Sequence, residues 1–293
     1  MSTIVEHSAK GLSYLSCEGS GDVPVVLLHG ITGNARSFEP LMRALAGRYS
    51  SVAWNAPGYG ASKPLTVQWP DTSHYAKALK RLLAHLKVAR CILVGHSLGC
   101  LIAARYTVMF PGEVAALVLI APAVGYLAQK GFLPAQVADR IKDLDRLGPE
   151  QLAAKRGWML LADRIPNPEV LCAVQAAMAA VRRPGYDQAA RMLASGCIYD
   201  DAANIEAPAA VLRGGKDYAT APENGHFVYA SLQLSSKRPF FRIIEDTGHA
   251  MCLEKPGEVA RVITEFLEAE PSPEPIPRGT LIPVIVKRAS RVS

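Results

Sequence analysis

The chain has 293 residues, 49% of them apolar and 20% charged, with a formal charge of +6. This composition can bury a sizeable core and excludes an intrinsically disordered chain, while the length suits one large α/β domain with an insertion or two smaller domains. The basic residues are scattered apart from Lys287, Arg288 and Arg291. No basic stripe interleaved with aromatic residues is present, so no nucleic-acid partner is expected.

Taken in chain order, LSYLSC (12–17), the turn residues GSGD and VPVVLLHG (23–30) read as an antiparallel hairpin leading into a central strand. Phe38, Leu41, Met42 and Leu45 then recur at helical spacing, and SVAW (51–54) is a buried strand ending in the turn NAPGYG. Leu79, Leu82, Leu83 and Leu86 give a second helical face. CILVG (91–95) is a strand, 97–110 a helix and ALVLIAPA (116–123) a strand. After a gap the alternation resumes with a strand at 209–215, a helix at 222–234, a strand at 240–246 and a helix at 256–270. Such alternation predicts an α/β fold, a mostly parallel sheet with helices on both faces.

Residues 124–205 break the rhythm. They are Ala-rich and helical in pattern with no convincing strand, and are read as a helical insertion between two strands of a core formed by 1–123 and 206–270. The segment PSPEPIPRG (271–279) opens a proline-rich tail, 271–293, which cannot extend the preceding helix. The N-terminus lacks a basic region followed by an apolar one, so no secretory signal is expected. The longest apolar stretch, 115–124, is too short for a membrane span and contains Pro122. No membrane partner is expected. The six cysteines (Cys17, Cys91, Cys100, Cys172, Cys197 and Cys252) form no CxxC pair and no zinc spacing. No metal or cofactor is expected, and Cys91 and Cys100 read as small buried hydrophobes in a reducing, cytoplasmic setting.

Four segments carry chemistry, each at the C-terminal end of a predicted strand, where sheets of this type bind ligands. In ILVGHSLGCLIA (92–103), Ser97 stands between a β-branched strand and a helix. Gly95 and Gly99 allow the close approach that a strained serine turn needs, and the Leu98 N–H falls at a helix N-terminus. A serine hydroxyl is a weak nucleophile and needs a base, which in turn needs an orienting acid. Of seven histidines, His249 alone sits in a flexible loop after the last predicted strand. His29 and His96 are embedded in motifs where backbone geometry is the expected duty. Asp217 follows the strand at 209–213 through Gly214 and Gly215, and gives the chain order Ser97, Asp217, His249. Asp246 is the weaker rival. HGITG (29–33) follows the VVLL strand and offers the Ile31 N–H, beside that of Leu98, as a second oxyanion donor.

HGITG, NAPGYGAS, GHSLG, GGKD and TGHAMCLEKP, in that order, resemble the α/β-hydrolase fold superfamily over roughly residues 10–270. The resemblance implies an eight-stranded sheet, with 124–205 as a cap over the pocket. It departs at Asn55, where relatives often have Asp, and at Cys100, where they often have a second glycine. Ser97 argues against the dehalogenase and epoxide-hydrolase branches, whose nucleophile is an aspartate. The implied activity is hydrolysis of a small-molecule ester or lactone through an acyl-enzyme. Cleavage of a C–C bond in a ring-cleavage diketone or of an enamide, cofactor-free oxygen chemistry, and a ligand receptor that retains the triad are the alternatives. Within the insertion, Trp158, Arg164 and Arg182, with Arg156 and Arg183, are candidates for an aromatic wall and a carboxylate clamp; arginines facing water on amphipathic helices are the plainer reading. A homodimer is left open.

Overall fold

The computed structural model describes residues 3–269, so the tail 271–293 lies outside the described residues. The strands are β1 (Ile4–Ala9), β2 (Leu12–Cys17), β3 (Val25–Leu28), β4 (Ser51–Trp54), β5 (Cys91–His96), β6 (Val114–Ile120), β7 (Ala209–Gly214) and β8 (Pro239–Ile244). They form one eight-stranded sheet in the order β1-β2-β4-β3-β5-β6-β7-β8. From β4 to β8 every pairing is parallel, and the two pairings of β2 are antiparallel. The helices are α1 (Glu39–Leu45), α2 (Thr72–His85), α3 (Leu98–Met109), α4 (Ala135–Arg156), α5 (Pro168–Ala179), α6 (Gly185–Ser195), α7 (Ile198–Ala202), α8 (Pro222–Leu232), α9 (Met251–Glu254) and α10 (Pro256–Glu268). None of them is long and apolar enough to cross a membrane.

The central strands read as unbroken apolar runs because both faces are covered. Along β6, Leu117 and Leu119 enter one core while Val118 and Ile120 enter the other. The first core holds α2, α3 and α8; the second holds α1 and α10. Spacing decides which helical residues reach them. Tyr75, Leu79 and Leu82 bury one face of α2, whose start is capped by the Asp71 carboxylate accepting the His74 N–H. Val259, Ile263 and Phe266 do the same for α10.

The expected hairpin of 12–17 with 23–30 does not form. β2 instead pairs with β1 on one side and β4 on the other, and β3 runs parallel between β4 and β5. The hairpin that does form turns on Lys10 and Gly11, both at positive φ (53° and 77°), as a two-residue turn joining twisted strands requires. As the sheet's edge, β1 needs no continuous apolar run, and its sequence IVEHSA has none.

Between β6 and β7 the chain forms only helices, α4–α7 and a short 3-10 turn at Gly157–Leu160. The run KDLDRLGPEQLAAKR lies in α4 and is broken at Gly148 (φ 71°, ψ 165°), since the residue before Pro149 is driven out of helical geometry. This insertion is seated on the loop after β4. Gln188 bonds the backbone of Leu65 and Val67, and Arg191 bonds the Gln68 carbonyl. The two segments meet backbone to backbone at Gly58 and Gly185. A Cβ on Gly185 would lie 2.3 Å from the Gly58 carbonyl oxygen, with no flexible side chain to yield.

Gly185→Ala is therefore expected to lift the N-terminus of α6 and cost about 1–3 kcal/mol. A lower urea midpoint with an unchanged m-value would be the observation; an unchanged midpoint would show that the contact is not rigid.

Candidate active site

Ser97 lies between β5 and α3 at φ 54°, ψ −118°, a conformation that non-glycine residues rarely adopt and that costs on the order of 1–3 kcal/mol. The turn is tight enough that the positions two residues to either side, Gly95 and Gly99, cannot carry side chains. A Cβ on Gly99 would stand 2.1 Å from the Leu28 carbonyl oxygen, and one on Gly95 would stand 2.6 Å from that of Gly99. Gly30 approaches from β3's end, and a Cβ there would come within 3.0 Å of Ser97 Cβ. Cys100, where relatives often have glycine, points its thiol at the Gly95 and Ile120 carbonyls and packs beneath the turn.

Asp217 follows β7 and His249 follows β8. His249 Nδ1 donates to Asp217 Oδ2 at 3.0 Å, which leaves Nε2 of the neutral ring as the basic nitrogen. The aspartate is 1% exposed and its remaining acceptor capacity is filled. Oδ1 takes the N–H groups of Ala219 and Thr220, and Oδ2 also takes the Thr220 hydroxyl. Burial alone would raise this carboxyl, but the bonds from His249 and Thr220 outweigh it and hold the group at about 2. The rival Asp246 turns outward to Lys216 at 2.9 Å. Ser97 and His249 line one cavity of about 340 Å³. Among the described residues no hydrogen bond joins Ser97 Oγ to His249, a contact that is commonly loose until substrate is bound.

Two peptide N–H groups at this cavity are oriented by their own carbonyls. The planar trans peptide directs its N–H opposite to its C=O. The Gly30 carbonyl is held by His29 Nδ1 (2.8 Å) and the Gly33 N–H (3.0 Å), so the Ile31 N–H points away from both. The Ser97 carbonyl is held by the N–H groups of Cys100 (3.0 Å) and Ala123 (3.2 Å), which fixes the Leu98 N–H in the same manner. His29 also accepts the Ala56 N–H on Nε2, and its burial pushes the imidazole down to about 4, so it stays neutral in this two-sided role. Asn55 steadies the same loop. Its carbonyl accepts the Ala35 N–H while its amide donates to Ser13 Oγ, a donor that aspartate lacks.

A family model described as the alpha/beta hydrolase family matches residues 25–262. The chain belongs to that family. A dihydrolipoyllysine-residue acetyltransferase component of an acetoin cleaving system from Pseudomonas putida is 27% identical over 270 residues, covering 89% of this chain and 68% of that protein. A 2-(acetamidomethylene)succinate hydrolase from Mesorhizobium japonicum is 36% identical over 104 residues, covering 35% of this chain and 36% of that protein. The enol-lactonase from Burkholderia xenovorans LB400 shares the fold, with a TM-score of 0.76 at 18% identity over 90% of this chain and all (100%) of that one.

Within this hydrolase fold the residues proposed for a clamp are dispersed. Trp158, Arg164 and Arg156 line a second cavity of about 660 Å³, which shares Thr32, Arg140, Leu160 and Ala219 with the first. Arg182 lines neither and donates to the backbone carbonyls of Gly60 and Ser62. Arg183 pairs with Asp145 and Asp187, and Arg156 with Asp143. Among the described residues no group of three or more His, Cys, Asp or Glu is placed to hold a metal ion.

Two side chains support the His249 loop: His96, in the backbone duty expected of it, and Glu254, which no sequence pattern marks. His96, kept neutral by burial that lowers it to about 3, donates Nε2–H to the His249 carbonyl at 2.8 Å. Glu254 accepts the N–H of Gly248 on one oxygen and that of Ala162, in the insertion, on the other, both at 2.7 Å. The Ala250 N–H donates to the Leu160 carbonyl alongside.

Glu254→Ala leaves the Gly248 and Ala162 N–H groups without their acceptor and is expected to cost about 1–3 kcal/mol in thermal or urea unfolding. A second expectation concerns acid. Asp217 sits at about 2 when folded against 3.8 as an unperturbed side chain, so its contribution is complete above the higher value and is lost as pH falls towards the lower. On the order of 2 kcal/mol should disappear between roughly pH 4 and pH 2. Asp217→Asn should flatten that limb of the stability–pH curve, and equal slopes in both proteins would contradict it.

Proposed function

We propose that this protein is a serine hydrolase that cleaves a carboxylic ester or lactone of a small molecule through an acyl-enzyme. The observation that carries the reading is the convergence on one cavity of a serine at a strained strand-to-helix turn and a histidine bonded to a buried carboxylate. Two oriented peptide N–H groups flank the same space.

In this mechanism Ser97 Oγ attacks the substrate carbonyl carbon while His249 Nε2 takes the hydroxyl proton. Asp217 keeps the imidazole in the needed tautomer and stabilises the imidazolium. The Ile31 and Leu98 N–H groups stabilise the oxyanion, each worth about 3 kcal/mol in the transition state. Collapse of the tetrahedral intermediate breaks the carbonyl–leaving-group bond, and the leaving group takes the proton from His249. Water then gives its proton to His249 and attacks the acyl carbon; breakdown of the second intermediate returns the proton to Ser97 and releases the acid. No cofactor enters any step. The helical insertion acts as a cap that closes the site over the substrate.

The likeness to a 2-(acetamidomethylene)succinate hydrolase favours a second reading, in which the same groups cleave the amide-like bond of an unsaturated acid. The attacking atoms are the same, and only the leaving group differs.

Ser97→Ala is expected to lower p-nitrophenyl acetate hydrolysis by at least about a thousandfold and to abolish labelling by a fluorophosphonate, with the circular dichroism spectrum unchanged. Retained turnover in that variant would refute Ser97 as the nucleophile.

A further inference from the structure

The cavity that holds Ser97 and His249 is apolar over most of its wall, and its only Lys or Arg among the described residues is Arg140, with no Asp or Glu to match it. Arg140 sits on α4, half-buried, where the first cavity meets the second. Its neighbours in the insertion are paired: Arg146 and Arg156 both reach Asp143, and Arg183 reaches Asp145 and Asp187. Asp143 and Asp145 on α4 and Asp187 on α6 are therefore engaged by other guanidinium groups. Arg140 pairs with no carboxylate among the described residues, and the buried Tyr186 hydroxyl stands beside its guanidinium.

A guanidinium removed from bulk water without a counter-ion is costly, and a planar fork of donors matches a carboxylate in two-point contact. We propose that Arg140 binds a carboxylate on the substrate, so that the hydrolase acts on small acids bearing the scissile bond at one end and a free carboxylate at the other. The inference rests on the serine-hydrolase reading for the bond cleaved, but the anion site stands on the cavity's charge. Arg140 is a specificity residue here, and Tyr186 steadies its guanidinium. The carboxylate lies at the junction of the two cavities, the scissile carbonyl lies at Ser97, and the remainder of a longer substrate extends past Trp158.

The test compares two p-nitrophenyl esters of similar length, the monoester of glutaric acid and the neutral valerate. The ratio of their kcat/KM values is measured in wild type, Arg140→Gln and Arg140→Lys. The anionic-to-neutral ratio should fall roughly 10- to 100-fold in Arg140→Gln, through KM on the anionic ester, and recover in part in Arg140→Lys. An unchanged ratio overturns the proposal. Binding separates the two ideas: glutarate should raise the Tm of the Ser97→Ala protein, and the rise should vanish when Arg140→Gln is added. Glutarate binding that depends on Arg140 in a protein without esterase turnover would keep the anion site and discard the hydrolase reading. Turnover of both esters without any dependence on Arg140 would do the reverse.

Discussion

The rest of the site is built around one backbone conformation, Ser97 at φ 54°. An L-residue held there is under strain, and the strain persists only because the surroundings leave no alternative. β5 delivers the chain into the middle of a parallel sheet, and α3 must start at once to pack back against it. The requirement spreads outward as glycines. Gly99 lies against Leu28, Gly95 against the first turn of α3, and Gly30 against Ser97 itself. Two strands, β3 and β5, thus contribute to holding one side chain clear of the sheet.

That same compression accounts for the two oriented N–H groups. The Ile31 and Leu98 N–H groups are each turned by the carbonyl of their own peptide, which accepts two hydrogen bonds. One of those four donors is an imidazole, which explains why His29 is buried, neutral and bonded to backbone at both nitrogens. Electrostatic stabilisation of this kind works best when the dipoles need no reorganisation. Planar peptides fixed at their oxygen ends by three backbone N–H groups and one imidazole need little reorganisation.

Much of this was legible in the residues because it depends on local periodicity and on glycine. The apolar runs at 25–28, 91–96 and 114–120, the helical spacing of α2 and α10 and the GHSLG turn are short-range patterns. So is the order in which Ser97, Asp217 and His249 follow their strands. What stayed hidden depends on contacts across the sequence. β1 is polar because it is an edge, so its pairing with β2 has no apolar signature, and the apolar pattern alone points to a hairpin with β3 instead. Glu254 is bonded to backbone N–H groups of Gly248 and Ala162, and no side-chain pattern marks such partners. Arg182 had the composition of a clamp but is drawn to the carbonyls of Gly60 and Ser62. Arg140 did leave a trace, as an arginine on the stripe of Val137, Ile141 and Leu144, a position where an apolar residue would have been the ordinary choice.

The insertion and the histidine loop are mechanically one unit. Leu160 and Ala162 bond to Ala250 and Glu254, and a Cβ on Gly248 would press within 2.6 Å of Ala162 N. Displacing this part of the insertion would therefore disturb the loop that carries His249, whereas α6, seated on residues 58–68, is anchored elsewhere. Arg140 lies on α4, which packs against both the Gly157–Leu160 turn and α6. A substrate carboxylate bound there would neutralise the cationic Arg140 of the cavity wall beside a segment already tied to His249. Recognition of charge and alignment of the base would then be parts of the same seating of the insertion on the sheet.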